Sequence, residues 1–327
     1  VASFVELALS HSPSFLLDFR SGLGRMGLDL SGNGVGGQIV GGGTPSALPT
    51  TIVPSDGDYG SGTLFGSNAG GNFGSSCAWM VPVNTTATGG PLRPTGALTM
   101  LLCCDKPTYS RQAGLFSCTQ SGGWNIELTA GSPVKLSAFV RQNGAYSTVS
   151  VDASVLQATN NLIIATCDGR YTKLHVNGVT VGVYDAGAIY PIQYAATTVH
   201  IVIGAESTGT SAQDFPELPV QYAGLYTTGL SDSDCADLYT AFSAQKRLAG
   251  TVVHSDGSAG KAARIRPWYD HAATLDACGG HVTRDVTPNN ITGEWEMVVP
   301  DGQYEVVLVG DSGYQPVTHG PVSPVPV

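Results

Sequence analysis

Charge is scarce in this chain. Asp, Glu, Lys and Arg account for 12% of 327 residues, and 25 acids against 15 bases leave a formal net charge of −10. A surface of that sign repels a phosphate backbone, so nucleic acid is not an expected partner. No apolar run approaches the ~20 residues that cross a bilayer as a helix, so no membrane partner is expected either. The opening stretch, Val1 to Ser10, has no basic region and carries Glu6 inside its apolar run, so it is not expected to act as a secretory signal. The seven cysteines (Cys77, Cys103, Cys104, Cys118, Cys167, Cys235, Cys278) form no Cys-x-x-Cys pair, which removes the zinc and thioredoxin-like readings. They are expected to be reduced, buried small hydrophobes, with inter-subunit disulfides of an extracellular particle as the alternative. Cys103 and Cys104, adjacent in a strand, should point to opposite faces.

What the chain has instead is glycine (43), proline (19) and many β-formers. That composition suits short strands and tight turns rather than long helices. The clearest stretch is Asn161 to Gly182, which reads as a strand, a turn at Asp168-Gly169 and a hairpin closed by Asn177-Gly178. A two-residue type I′ turn needs φ > 0 at both central positions, which Asn-Gly supplies. That register would place Val176 opposite Val179, Leu174 opposite Val181 and Thr172 opposite Val183. His175 with Thr180 and Lys173 with Gly182 would share the other, water-facing side.

Similar strand text recurs about every dozen residues, the rhythm of a sandwich. It includes Phe15–Arg20, Ala78–Val81, the continuous apolar run Ala97–Cys104, Gly114–Cys118, Trp124–Leu128, Val134–Val140, Thr148–Val151, Thr198–Ala205 and Tyr222–Tyr226. Asn143-Gly144 is a second hairpin turn. Residues 54–94 read mostly as loop, and the Gly41-Gly42-Gly43 run lacks the context of a phosphate-binding loop. One segment has a helical period: after Ser231 as N-cap, with Asp234 three residues on, apolar residues fall at 235, 238, 239 and 242, and Lys246-Arg247 stand at the expected last turn. A new strand rhythm begins at Leu248, with Ala263–Arg266, Thr292–Val299 and Tyr304–Val309. The proline-rich tail after Tyr314 cannot be a central strand.

These pieces carry two resemblances. Leu28-Asp29-Leu30-Ser31-Gly32-Asn33-Gly34, the Leu98–Cys104 run, Gly123-Trp124-Asn125-Ile126-Glu127-Leu128, the Ile164–Gly178 hairpin and the helix from Leu230 come in the order of a laminin-G-like or concanavalin A-like lectin-fold domain. Gly250-Thr251-Val252, Thr292-Gly293-Glu294-Trp295, Asp301–Val307 and His319-Gly320-Pro321-Val322 resemble a small transthyretin-like, carboxypeptidase-regulatory-like module. The resemblances imply an all-β fold: a concanavalin A-like jelly-roll sandwich over 1–247 and a small Ig/transthyretin-like sandwich over 248–327. Together they resemble structural proteins of tailed bacteriophages.

Catalytic chemistry finds little footing. A retaining glycosidase needs two carboxylates about 5–5.5 Å apart. Glu294 and Glu296 form one close pair, beside Trp295, and read as an exposed face. Glu127 is the only acid in the strand text of the larger domain, with no partner expected near it. No Gly-x-Ser-x-Gly elbow occurs. No catalytic, cofactor-binding or metal residue is therefore assigned. Calcium is the one cofactor considered, through Asp56, Asp58 and Asp105. His175 and His200 read as packed histidines, and the Asn84 and Asn290 sequons matter only in a eukaryotic secretory setting. The expected function is a non-enzymatic, oligomeric component of a virion surface, on capsid or tail. The alternative is a carbohydrate-binding adhesin or receptor-binding tail protein that takes a host glycan.

Overall fold

A computed structural model describes residues 4–19, 28–41, 63–65, 77–83, 85–107, 112–216, 218–244, 246–251, 264–269, 294–299, 304–309, 317–322 and 325–326. In chain order the strands are β1 (Phe15–Asp18), β2 (Leu28–Asp29), β3 (Gln38–Gly41), β4 (Thr63–Phe65), β5 (Cys77–Val81), β6 (Leu98–Cys104), β7 (Ala113–Thr119), β8 (Gly123–Thr129), β9 (Lys135–Gln142) and β10 (Ala145–Asp152). They continue with β11 (Asn161–Cys167), β12 (Tyr171–Val176), β13 (Val179–Asp185), β14 (Ile201–Ile203), β15 (Glu206–Ser207), β16 (Ala212–Gln213) and β17 (Leu218–Tyr226). Helix α1 (Phe4–Ser10) precedes them and helix α2 (Asp232–Ser243) follows.

The fold is all-β. One sheet runs β13-β12-β11-β6-β17-β1-β2, with β4 also on β17, and a second runs β10-β9-β8-β7-β14-β5-β3. Between them lies the main core, in which Met100, Leu102 and Cys104 of β6 and Ile163 and Ala165 of β11 meet Trp124, Ile126 and Leu128 of β8 and Leu136, Ala138 and Val140 of β9. Phe116 packs edge-on against Trp124 with ring centroids 5.0 Å apart. Strand β6 is buried along its whole length because both of its faces are covered. Cys104 belongs to the inter-sheet core, while Cys103 faces a second cluster beyond the sheet. Alternation along the strand thus separates the two thiols as expected.

That second cluster is where the sequence reading needs correction. Over β1, β6, β11 and β17 the outer face of the first sheet does not meet water. Leu16, Leu101, Cys103, Leu162, Ile164, Tyr222 and Tyr226 are covered there by Phe4 and Ala8 of α1 and by Cys235, Leu238 and Phe242 of α2. Phe4 packs at a tilt against Tyr222 and edge-on against Phe242, with centroids 5.0 and 5.3 Å away. Helix α1 was not expected from the sequence; Phe4 and Ala8, one turn apart, supply its buried stripe. Helix α2 starts as expected, with Ser231 and Asp234 forming a capping box, but it stops at Ser243. Lys246 and Arg247 open the next strand instead of closing the helix.

The Asn177-Gly178 turn forms, with φ of 52° and 77°. Val176 pairs with Val179 and His175 with Thr180, but a bulge at Leu174/His175 then shifts the register. Leu174 therefore faces Gly182, Lys173 faces Val183 and Thr172 faces Tyr184. The extra residue leaves both Val181 and Gly182 towards the core, where Gly182 sits under Val149 of β10. The Asp29-Leu30-Ser31-Gly32-Asn33-Gly34 turn is an internal staple. Asp29 Oδ1 accepts from the Ser31 amide and hydroxyl, Oδ2 accepts from the Val35 amide, and Asn33 Nδ2 donates to the carbonyls of Pro13 and Ser14.

In the last part of the chain the strands are β18 (Lys246–Thr251), β19 (Arg264–Tyr269), β20 (Glu294–Val299), β21 (Tyr304–Val309), β22 (Val317–Val322) and β23 (Val325–Pro326). They form two three-stranded antiparallel sheets, β20-β18-β23 and β19-β21-β22. Among the described residues of the proline-rich tail, β22 and β23 are both edge strands, which suits a segment short of N–H donors.

Candidate functional site

The two sheets differ on their outer faces, and the difference locates the site. Strand β8 alternates: Trp124, Ile126 and Leu128 enter the core, so Asn125, Glu127 and Thr129 point outwards. Register across the second sheet then builds polar rows. Ser117, Asn125, Phe139 and Thr148 lie side by side on β7 to β10, and next to them run Gly114, Glu127, Ser137 and Ser150. Thr148 and Ser150 are exposed, and Phe139, Arg141 and Tyr146 are half-buried. Phe139 and Tyr146 meet edge to face at 5.2 Å, and the Arg141 guanidinium lies 5.0 Å over the Tyr146 ring. Ser137 and Ser150 share a hydroxyl hydrogen bond of 2.8 Å. The result is a patch with an aromatic floor, a cation and several hydroxyls on rigid strands.

One side of the patch is bounded by the β15–β16 hairpin. It approaches β7 at Gly114, where a Cβ would collide with the Glu206 amide and the Ala205 carbonyl carbon. The Gly114 amide donates to the Asp214 carbonyl at 2.9 Å, and the Ser207 amide donates to Ser117 Oγ. This seating brings Glu206 and Asp214 alongside Glu127. The expectation that Glu127 stands without a neighbouring acid is therefore overturned. The two neighbours lie about eighty residues away in the chain and are joined to it by the hairpin.

Glu127 is almost fully buried. Its Oε2 accepts from Gln112 Nε2 and from Asn125 Nδ2, each at 2.9 Å. Burial pushes its pKa up to about 7, opposed by the Gln112 hydrogen bond and helped by the charges of Glu206 and Asp214. Glu206 is also raised, by burial first, although Gln213 donates to its Oε2 at 2.9 Å.

The other candidates are structural. Asp105 is buried and accepts from the Asn160 amide at 2.9 Å, while Asp56 and Asp58 lie outside the described residues. Among the described residues no group of three or more His, Cys, Asp or Glu is placed to hold a metal ion. His200 precedes β14 and accepts from the Val83 amide at 3.0 Å through Nδ1. His175 is buried, hydrogen-bonds Thr180 Oγ1 through Nδ1, and holds Nε2 3.9 Å from Asp232 Oδ1. Five cysteines (Cys103, Cys104, Cys118, Cys167, Cys235) are free and buried; Cys77's side chain and Cys278 lie outside the described residues, as do Asn84, Asn290 and the side chains of Glu294 and Glu296.

No protein-family model matches the sequence, and no curated protein matches it. The fold is similar to that of solved botulinum neurotoxin binding domains at low sequence identity. The binding domain of botulinum neurotoxin DC, solved in complex with rat synaptotagmin II, aligns at a TM-score of 0.47 and 9% identity over 95% of this chain and 74% of its own. The receptor-binding domain of the C/D mosaic serotype aligns at 0.49 and 13%, over 94% and 72%. The serotype D ligand-binding domain in complex with N-acetylneuraminic acid aligns at 0.49 and 12%, over 93% and 73%.

Proposed function

We propose that this chain is a carbohydrate-binding protein, an adhesin or receptor-binding component that acts by binding without turnover. The observation that carries it is the outer face of the second sheet. Phe139 and Tyr146 offer ring surface for the C–H face of a pyranose, and Arg141, Ser137, Ser150 and Thr148 surround it with hydroxyl-directed groups. Glu127 is a poor general acid, because one oxygen is occupied by two amide donors and the carboxyl is nearly enclosed. A glycan array probed with the intact chain tests the reading. Binding should be lost in Phe139→Ala and Tyr146→Ala; a chain that binds no glycan, or variants that bind as well as the parent, would overturn it. Incubation with a polysaccharide panel should release no new reducing ends.

A second reading, attachment to the surface of a bacteriophage-like virion, is favoured by a different observation. The exposed large apolar residues among those described, Val179, Val183, Tyr184 and Ile189, all lie on the edge strand β13 and the loop after it. Such an edge suits protein–protein assembly. Light scattering of the purified chain should show an oligomer that Val183→Lys dissociates. The chain is further proposed to consist of separate modules over 1–247 and 248–327, the second transthyretin-like. Limited proteolysis should release a stable C-terminal fragment of that size, and joint degradation would refute the division.

A further inference from the structure

Beside the β15–β16 hairpin the structure leaves an excess of oxygen. Glu127, Glu206 and Asp214 act on one another electrostatically, and Glu206 approaches Asp214 closely enough for a carboxyl–carboxyl hydrogen bond. The charged neighbours that act on Glu127 are the acids Glu206 and Asp214. Two further oxygens there are orphaned. Asn125 is fully buried, and its Nδ2 is committed to Glu127 Oε2, yet its Oδ1 has no donor. Ser207 is 1% exposed, and its Oγ has no partner either. The two are linked through Ser117, which pairs directly with Asn125 in the sheet and takes the Ser207 amide on its own hydroxyl oxygen. A buried amide oxygen without a donor is costly to keep, so a retained one asks for an occupant.

We propose that Asn125, Glu127 and Ser207, with the Glu206–Asp214 pair, form a binding site for a protonated primary amine. An ammonium group presents three N–H donors and one positive charge. Asn125 Oδ1 and Ser207 Oγ supply two acceptors, the Glu127 carboxylate supplies a third, and the acids supply the counter-charge. A divalent metal fits less well, since no three carboxylates converge on one point among the described residues. Water would satisfy the two orphans but leave the charge excess untouched. Gln112, whose exposed side chain lies over Glu127, is the natural entrance. Asn125 stands next to Phe139, so an amine on a sugar resting on that ring would reach the site. The amine site does not depend on the glycan reading, because a simple alkylammonium tests it without any sugar.

The test is a titration of the full chain with methylammonium, followed by amide chemical shifts and by thermal stability. Tetramethylammonium at equal ionic strength is the control, because it carries the same charge and no N–H donor. Saturable shifts confined to β7, β8 and the hairpin are expected with methylammonium alone. Glu127→Gln keeps the shape of the side chain and removes its charge; it should weaken binding by about tenfold or more, the range expected for a charge-assisted hydrogen bond. Ser207→Ala should weaken it less. Identical responses to the two ions would mean screening only, and no saturable response would mean an ordered water only. Either result overturns the proposal. Glucosamine compared with glucose then distinguishes an amino sugar from a non-sugar amine as the natural source.

Discussion

The two sheets share one core and one strand rhythm, yet their outer faces have opposite fates. On the first, Leu101, Leu162 and Ile164 are sealed beneath α1 and α2; on the second, Asn125, Glu127, Ser137 and Ser150 form polar rows beside a small hairpin. Strands buried on both faces read as continuous apolar runs, and strands with one polar face alternate. Both sheets stabilise through the shared core, the first sheet adds a second apolar layer under the helices, and the second carries the candidate chemistry. Removing packed side chains should separate them most sharply. Leu101→Ala is expected to cost about 3 kcal/mol through lost burial and a residual cavity. Thr148→Ala, at an exposed position on the other outer face, should stay within about 0.5 kcal/mol. Urea unfolding of both variants measures the contrast, and equal costs would erase it.

The next effect is of the opposite sign. Glu127 has a folded pKa of about 7, raised above the ordinary carboxyl value of 4.5. The folded state therefore holds its proton more tightly than the unfolded chain does. The penalty for ionising it is absent below pH 4.5, grows through the interval and is complete above about pH 7. Glu127→Gln should accordingly gain about 2–3 kcal/mol at pH 8 and nothing at pH 4. A stability difference independent of pH would show that the charge is not what strains this site.

A smaller effect compares the hairpin turns at the ends of the two sheets. Gly144 and Gly178 have nearly the same φ, 76° and 77°. A Cβ at Gly144 would meet nothing within 4 Å, whereas one at Gly178 would press on Tyr239 of α2 at 3.0 Å. Valine at either position should cost about 1–3 kcal/mol for the left-handed backbone. Gly178→Val should cost more, because the covering helix reaches over that turn. Matching melting temperatures would show that α2 makes no use of the contact.

Much of this comparison was legible in the chain. The run Leu-Thr-Met-Leu-Leu-Cys-Cys of β6 announces two apolar faces, and Trp-Asn-Ile-Glu-Leu of β8 announces one apolar and one polar face, although Asn125 and Glu127 on that polar face are themselves buried. The Asn-Gly turns and the Ser231 cap are local chemistry and lie where the residues place them. The bulge in β12–β13 was not legible, since it answers to Val149 and Val151 of β10 lying against Gly182. Helix α1 was missed because seven residues carry too short a period. The acid cluster was hidden for a topological reason. Glu206 and Asp214 reach Glu127 only through a hairpin seated on Gly114, and the missing side chain of that glycine was the sole local trace.

The finest test concerns how the helix that seals the first sheet is started. Ser231 Oγ accepts from the Asp234 amide at 3.2 Å, and Asp234 Oδ2 accepts from the Ser231 amide at 2.9 Å and its hydroxyl at 2.7 Å. Directly before the cap, the Leu230 amide donates to Thr99 Oγ1 of β6 at 2.9 Å, and Thr99 passes its own proton to the Thr228 carbonyl at 2.7 Å. The start of α2 is thus tied both to itself and to the central strand. Ser231→Ala removes the cap and leaves the tie, so the cost should be that of an N-cap, about 1 kcal/mol. Asp234 has a pKa held below its ordinary 3.8 chiefly by the Ser231 hydrogen bond. A depressed carboxyl contributes stability above pH 3.8 that fades as pH falls through the folded value. The parent should therefore lose part of its advantage over Ser231→Ala in strong acid, when Asp234 takes up its proton, and keep the part that the Ser231 hydroxyl supplies. If the variant's deficit persists unchanged at pH 2, the capping carboxylate adds nothing, and the Ser231 hydroxyl that accepts from the Asp234 amide carries the whole cap.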